Sequence, residues 1–142
     1  MATPKLFGVE IPFVDHLGFE LVKMEGGLSE LQFTPRREHM NSFMVAHGGV
    51  IMSLLDVTMA TAARSVDLEI GVVTIEMKTS FMQPCTGPLT GKGRLMHRTK
   101  SIAFSEGMIY NAGGQACAHA IGTFKYVKRS AASAGASVIS TD

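Results

Sequence analysis

A histidine and two glycines, His47-Gly48-Gly49, stand directly before an apolar run in which Asp56 is the only ionisable side chain ahead of Arg64. Val50, Ile51, Met52, Leu54, Leu55, Val57, Met59, Ala60, Ala62 and Ala63 cover nearly every side of a helical wheel, which predicts a buried helix over about 48–65. An ionised carboxylate among apolar groups is costly unless it is paired, hydrogen-bonded or raised in pKa, so Asp56 needs a reason to be there, and catalysis is one. The first-turn N–H groups of such a helix are unsatisfied and carry the positive end of its dipole. Glycine there lets a ligand approach the backbone, and these donors suit a carbonyl oxygen that becomes an oxyanion. Gly48 and Asp56 are roughly 12 Å apart along a helix axis, too far to act on one reacting group. If they cooperate, Asp56 belongs to a neighbouring subunit.

Each residue also has a purely structural reading: Asp56 as a cap for nearby backbone, the glycines as an entry turn, His47 as a loop histidine, Asn41 as a turn residue and Thr74 as a strand former. His16, His39, His97 and His119 show no metal-ligand spacing, and the ten methionines suit a core and an adaptable pocket.

The chain has 142 residues, the size of one ordinary domain. With 46% hydrophobic and 18% charged residues and a net charge of +1, it carries no signature of a nucleic-acid surface or an acidic tail, and its low charge suits burial in subunit contacts. Cys85 and Cys117 form no C-x-x-C and no disulfide framework, which fits a reducing cytoplasm. Neither a basic segment followed by an apolar run nor a stretch approaching roughly 18 apolar residues occurs, which predicts neither signal peptide nor membrane span.

The elements that must position these groups follow from periodicity. Residues 1–17 read as a covering segment with a short helical piece near Pro12. Strands are predicted from Phe19 to Met24 and from Leu28 to Thr34, hinged on Gly26-Gly27. After a polar loop and the helix, Val73, Ile75, Met77, Thr79 and Phe81 alternate with Thr74, Glu76, Lys78 and Ser80, which predicts one apolar strand face, ended by Pro84. Three further strands are expected near 89–98, 102–111 and 115–127, where Ala116, Ala118, Ala120 and Gly122 would let another layer approach closely. Two strands, a long helix and four strands imply an α+β arrangement, an antiparallel sheet around a central helix. Residues 18–128 are read as the domain and 129–142 as a disordered tail.

The pattern Asn41-x5-His47-Gly48-Gly49-x6-Asp56, with the Glu38-His39-x-Asn41 lead-in, the strand Val73-Thr74-Ile75-Glu76-Met77 and the ending Phe81-Met82-Gln83-Pro84, resembles the hotdog-fold acyl-CoA thioesterases of the phenylacetate-pathway (PaaI-like) and THEM2-like branch. The resemblance implies that the Gly48 N–H polarises a thioester carbonyl while Asp56 of the facing subunit is general base or nucleophile. It gives Asn41 the task of orienting the thioester or nucleophile, Thr74 that of positioning water, and His47 a supporting role at the helix start. Gly49, Arg98, Lys100 and Ser101 would contact the coenzyme A part of the substrate. No metal or other cofactor is implied, and the expected assembly is a homodimer, often paired into a homotetramer. Two departures stand out. Met44 replaces a frequent glycine, so the loop before His47 can run differently, and Thr99 replaces a glycine before Lys100. The acyl group stays open among arylacetyl, hydroxybenzoyl and medium-chain, as does which of Phe43, Met44, Met59, Phe81 and Phe104 line its pocket. The alternatives are an acyl-CoA binding or sensing module without turnover and a hotdog hydratase, whose motif is not found.

Overall fold

The computed structural model of the chain describes residues 7–130 and 138–140. Helix α1, Pro12–Leu17, starts on a proline whose fixed φ suits the first turn and stops at Gly18, which takes a left-handed φ of 83°. It buries Val14 and Leu17. Strands β1 (Glu20–Glu25) and β2 (Leu28–Phe33) flank Gly26 and Gly27, both at positive φ as a two-residue hairpin turn requires. Helix α2, Gly48–Arg64, then leads to β3 (Ile70–Phe81), β4 (Leu89–Arg98), β5 (Ile102–Tyr110) and β6 (Ala116–Ser130). The sheet runs β1-β2-β4-β5-β6-β3, and every pair is antiparallel. Within the stretch read from sequence as a tail, Val138–Ser140 form a short strand, β7, on β6, whereas residues 131–137 and 141–142 lie outside the described residues.

The sheet curls around α2, and glycines let it come close. A Cβ at Gly91 would sit 2.7 Å from the Thr58 hydroxyl, one at Gly93 2.6 Å from the Thr58 carbonyl oxygen, and one at Gly122 3.0 Å from the Met59 methyl. Ala118 and Ala120 on β6 are fully buried beside them. Ile51, Leu54, Leu55 and Met59 fill the space between the layers, each contributing about 1.5–3 kcal/mol by leaving water. At the far end of α2 the buried Arg64 guanidinium donates to the Phe7 carbonyl at 2.9 Å, which favours the negative helix terminus and ties down the N-terminal segment.

Two expectations need correction. The first concerns α2, which is not enclosed on all sides within one chain: Gly49, Met52, Ser53, Asp56, Val57 and Ala60 lie on a partly exposed flank. An apolar composition reports what an assembly can bury, and one sheet covers only one side of a helix.

The second concerns β3, which does not alternate strictly. A bulge at Ile75, between Thr74 paired with Phe124 and Glu76 paired with Thr123, shifts the phase of the strand. Before the bulge Val72 and Thr74 face the helix, opposite the buried Tyr126 and Phe124; after it Met77, Thr79 and Phe81 do, opposite Gly122, Ala120 and Ala118. Val73 is therefore on the outer face, and Thr74 points inward. β3 is also an edge strand, with Ile75 and Phe81 each 54% exposed.

Candidate active site

At the mouth of α2 the N-cap is His47, whose Nδ1 accepts the Gly49 N–H at 2.8 Å while its backbone N–H donates to the His39 carbonyl at 2.8 Å. The imidazole thus occupies one first-turn donor. The Gly48 N–H, the first of the helix, has no acceptor among the described residues and opens on a cleft of about 290 Å³ that it shares with Asn41, Ile51, Phe81, Met82 and Cys85. The Phe81 ring lies against Gly48, where a Cβ would stand 3.5 Å from its Cζ.

Asn41 reaches this cleft through a tight loop. Its Oδ1 accepts the N–H groups of Phe43 at 2.9 Å and Val45 at 3.3 Å, which fixes the amide and leaves Nδ2 as the donor on offer. Met44 holds φ at 60°, the left-handed conformation glycine adopts freely, so the loop keeps a glycine-type turn at some cost in strain.

In the middle of α2 the Thr74 hydroxyl donates to Asp56 Oδ1 at 2.7 Å. The Ile75 bulge is what aims Thr74 there. Burial pushes the Asp56 carboxyl above its ordinary range, and the Thr74 bond, which favours the charged form, offsets part of that rise. Thr74 spends its proton on Asp56, so Asp56 Oδ2 and the lone pairs of Thr74 Oγ1 remain as acceptors for a water. Helix mouth and carboxylate lie against different parts of β3: Gly48 packs on Phe81, the last residue of the strand, and Asp56 on Thr74 in its first half, two strand positions roughly 20 Å apart, while Gly48 and Asp56 themselves are roughly 12 Å apart along α2. One chain does not bring Gly48 and Asp56 together.

Of the expected coenzyme A contacts, Arg98 has the most defined position. Arg98 pairs with Ala103, Ala103 with Phe124 and Phe124 with Thr74, one cross-strand row on the helix side of the sheet. Three strand spacings put Arg98 about 14 Å from Thr74. Its guanidinium lies 5.9 Å from the centre of the Tyr126 ring, whose hydroxyl bonds to the Ala63 carbonyl of α2. Lys100 and Ser101 are exposed on the β4–β5 turn, and Gly49 is turned away from the Gly48 cleft by its bond to His47. Thr99 replaces glycine in that turn by accepting the N–H groups of Ser101 at 3.3 Å and Ile102 at 3.0 Å with its hydroxyl.

The candidate pocket residues separate. Phe81 lines the cleft, Met59 is core, Phe104 stacks on His97 on the outer face, and Phe43 and Met44 project from the Asn41 loop, Phe43 84% exposed. Cys85 and Cys117, distant in sequence, are neighbours in space and both free thiols; burial and then the adjacent Cys117 push the Cys85 thiol up to about 12, which leaves it unreactive. Sequence separation hides such a pair, because the return of β6 beside β3 creates it. No cluster of three or more metal-ligating side chains occurs among the described residues, and no helix there is long and apolar enough to cross a membrane.

An antiparallel sheet wrapped around one long helix defines the hotdog fold, and the family match makes the chain one of the enzymes that hydrolyse thioesters. The chain belongs to the thioesterase superfamily, whose family model matches residues 43–118. A Saccharolobus solfataricus protein that carries the provisional name of an esterase is 31% identical over 76% of this chain and 73% of its own length. A conserved Pseudomonas aeruginosa protein has the same fold with a TM-score of 0.80 at 24% identity, covering 87% of this chain and 99% of that one. The PaaI protein of the Escherichia coli phenylacetic acid degradation operon matches with a TM-score of 0.76 at 22% identity, over 81% of this chain and 83% of the other.

Proposed function

We propose that the protein hydrolyses an acyl-CoA thioester to the free acid and coenzyme A at a site composed of two subunits. The observation that carries this reading is the separation within one chain of two prepared half-sites, Gly48 with Asn41 beside Phe81 at the end of an exposed edge strand and Asp56 with Thr74 in the first half of that strand. Antiparallel pairing of β3 with β3 of a second copy, about a two-fold axis near residues 77–78, would set Thr74 of one subunit opposite Phe81 of the other. That symmetry makes two complete sites per dimer, and pairing of dimers into a tetramer leaves them unchanged.

In each site the Gly48 N–H and the Asn41 amide polarise the thioester carbonyl. Asp56 of the facing subunit takes a proton from water held between its Oδ2 and Thr74 Oγ1 as that water attacks the carbonyl, and the tetrahedral centre expels the coenzyme A thiolate and leaves the free acid; or Asp56 attacks the carbonyl itself, the thiolate leaves, and water then cleaves the acyl-aspartyl anhydride to the free acid and restores the carboxylate. Hydrolysis by these groups needs no metal or redox cofactor. Arg98 supplies a charge to a phosphate of coenzyme A, with Lys100 and Ser101 beyond it on the turn. Two free thiols fit a cytoplasmic setting.

The test is complementation between subunits. Asp56→Asn and Gly48→Pro proteins are assayed for thiol release separately and after mixing by co-expression. Each alone should be inactive, and the mixture should recover about a quarter of wild-type turnover, because half the dimers are mixed and each holds one intact site. A mixture as inactive as its parents would refute the shared site. Acyl-CoA binding by a wild type that releases no thiol would favour a non-catalytic binding module.

A further inference from the structure

The cleft at the helix mouth presents polar and apolar surface in nearly equal shares, with Gly48 and Asn41 on its polar side and Val45, Ile51, Phe81 and Met82 among its apolar lining. Its volume in one chain, about 290 Å³, stands at the lower end of the roughly 300–1,000 Å³ typical of sites for drug-sized ligands. Ile51, 1% exposed, belongs to the core beneath it, and the segment Phe81–Cys85 walls it. Phe81 is the one aromatic side chain among the residues lining this cleft, and it touches Gly48, the donor assigned to the carbonyl. In one chain the ring is half exposed and lies outside the buried core, so its size can change without collapse of the subunit's own fold.

Resting on the thioesterase reading above, we propose that this cleft receives the acyl group, that it admits short or compact acyl groups and rejects long chains, and that Phe81 is the residue that sets this limit. A chain that outgrows the cleft must displace the ring packed on Gly48, and that loosens the hold on the thioester carbonyl beside it. Added bulk at position 81 therefore shortens the accepted chain, and lost bulk lengthens it.

Two measurements test this together. Protein labelled at Ile and Met methyls is titrated with S-(2-oxohexyl)-CoA, a thioether ketone that cannot be hydrolysed, and separately with coenzyme A. The Ile51 and Met82 methyl signals should move with the ketone and stay in place with coenzyme A. In parallel, kcat/KM is measured on straight-chain acyl-CoA substrates from acetyl to dodecanoyl. Wild type should fall at least about 10-fold between hexanoyl and dodecanoyl; Phe81→Ala should shrink that ratio about 10-fold, and Phe81→Trp should lower hexanoyl about 10-fold while acetyl stays within about 3-fold. Methyl signals that ignore the ketone, or Phe81 variants that scale every chain length alike, would overturn the proposal. Methyl shifts in a protein that hydrolyses nothing would keep the cleft and reject the thioesterase reading. Hydrolysis without those shifts would do the reverse. Phe81→Leu, which retains apolar bulk, should restore most of the wild-type profile and so separates pocket size from misfolding.

Discussion

At the mouth of α2 the group proposed to work is backbone: the Gly48 N–H, unsatisfied by position and framed by His47, Asn41 and Phe81. Eight residues later on the same helix it is a side chain: the Asp56 carboxylate, raised by burial and steadied by the Thr74 hydroxyl. A backbone donor survives almost any substitution and has no pKa, so it is protected by geometry alone. A carboxylate is open to substitution and to pH, and its tuning depends on a partner from another element. In the two-subunit site proposed above, groups roughly 12 Å apart along α2 are each built locally and united by assembly.

The comparison breaks most severely at the side chain. Asp56→Asn should cut thiol release by about 10²–10⁴-fold, the range a positioned general base supplies. Its stability should move the other way. The folded state holds the Asp56 proton more tightly than the unfolded chain, so wild-type stability falls as pH rises from the ordinary aspartate range through the raised value. The Asp56→Asn protein escapes that loss, and thermal unfolding at neutral pH should show a melting temperature about 3 °C higher.

Next comes the backbone donor, which only proline removes. His47 has φ −61° and ψ 139°, the extended conformation favoured before proline, and Gly48 is the first helical residue, where proline is tolerated. Gly48→Pro should therefore leave circular dichroism intact and lower kcat by about 10²–10³-fold, the effect of losing one oxyanion donor. A smaller change sharpens the carboxylate half. Thr74→Val should reduce kcat about 10-fold and move the acidic limb of the pH profile upward, since a bond to the charged form of Asp56 is lost. An acidic limb that stays fixed would mean that Thr74 does not tune the base. The smallest effect is expected at the frame of the mouth: His47→Ala should cost about 1 kcal/mol of stability by deleting the cap, and His47→Asn should restore it, both read by urea unfolding.

Much of this was legible in residue order. The hairpin at Gly26-Gly27, the start of α2 at Gly48 and the segmentation of β4, β5 and β6 follow from turn residues and periodicity, which act over a few neighbours. Asp56 was legible because a lone carboxylate in an apolar run is costly wherever it folds. The Ile75 bulge was not, because a strand of β-formers looks the same with or without an extra residue, and only pairing with β6 reveals it. The exposed flank of α2 was hidden for a related reason: apolar content measures what wants burial, not what one chain can cover.

Residue order alone pointed to α2, the strands β1 to β6, the family and the residues of both proposed half-sites, because helix periodicity, glycine placement and an isolated charge are local properties; β7 it did not disclose. The folded chain was needed to establish that Thr74 faces Asp56, that Arg98 shares the cross-strand row of Thr74, that Phe81 covers Gly48, and that the two halves sit at separate points along an exposed edge strand. Those facts depend on strand register, which long-range pairing sets and no neighbouring residue encodes.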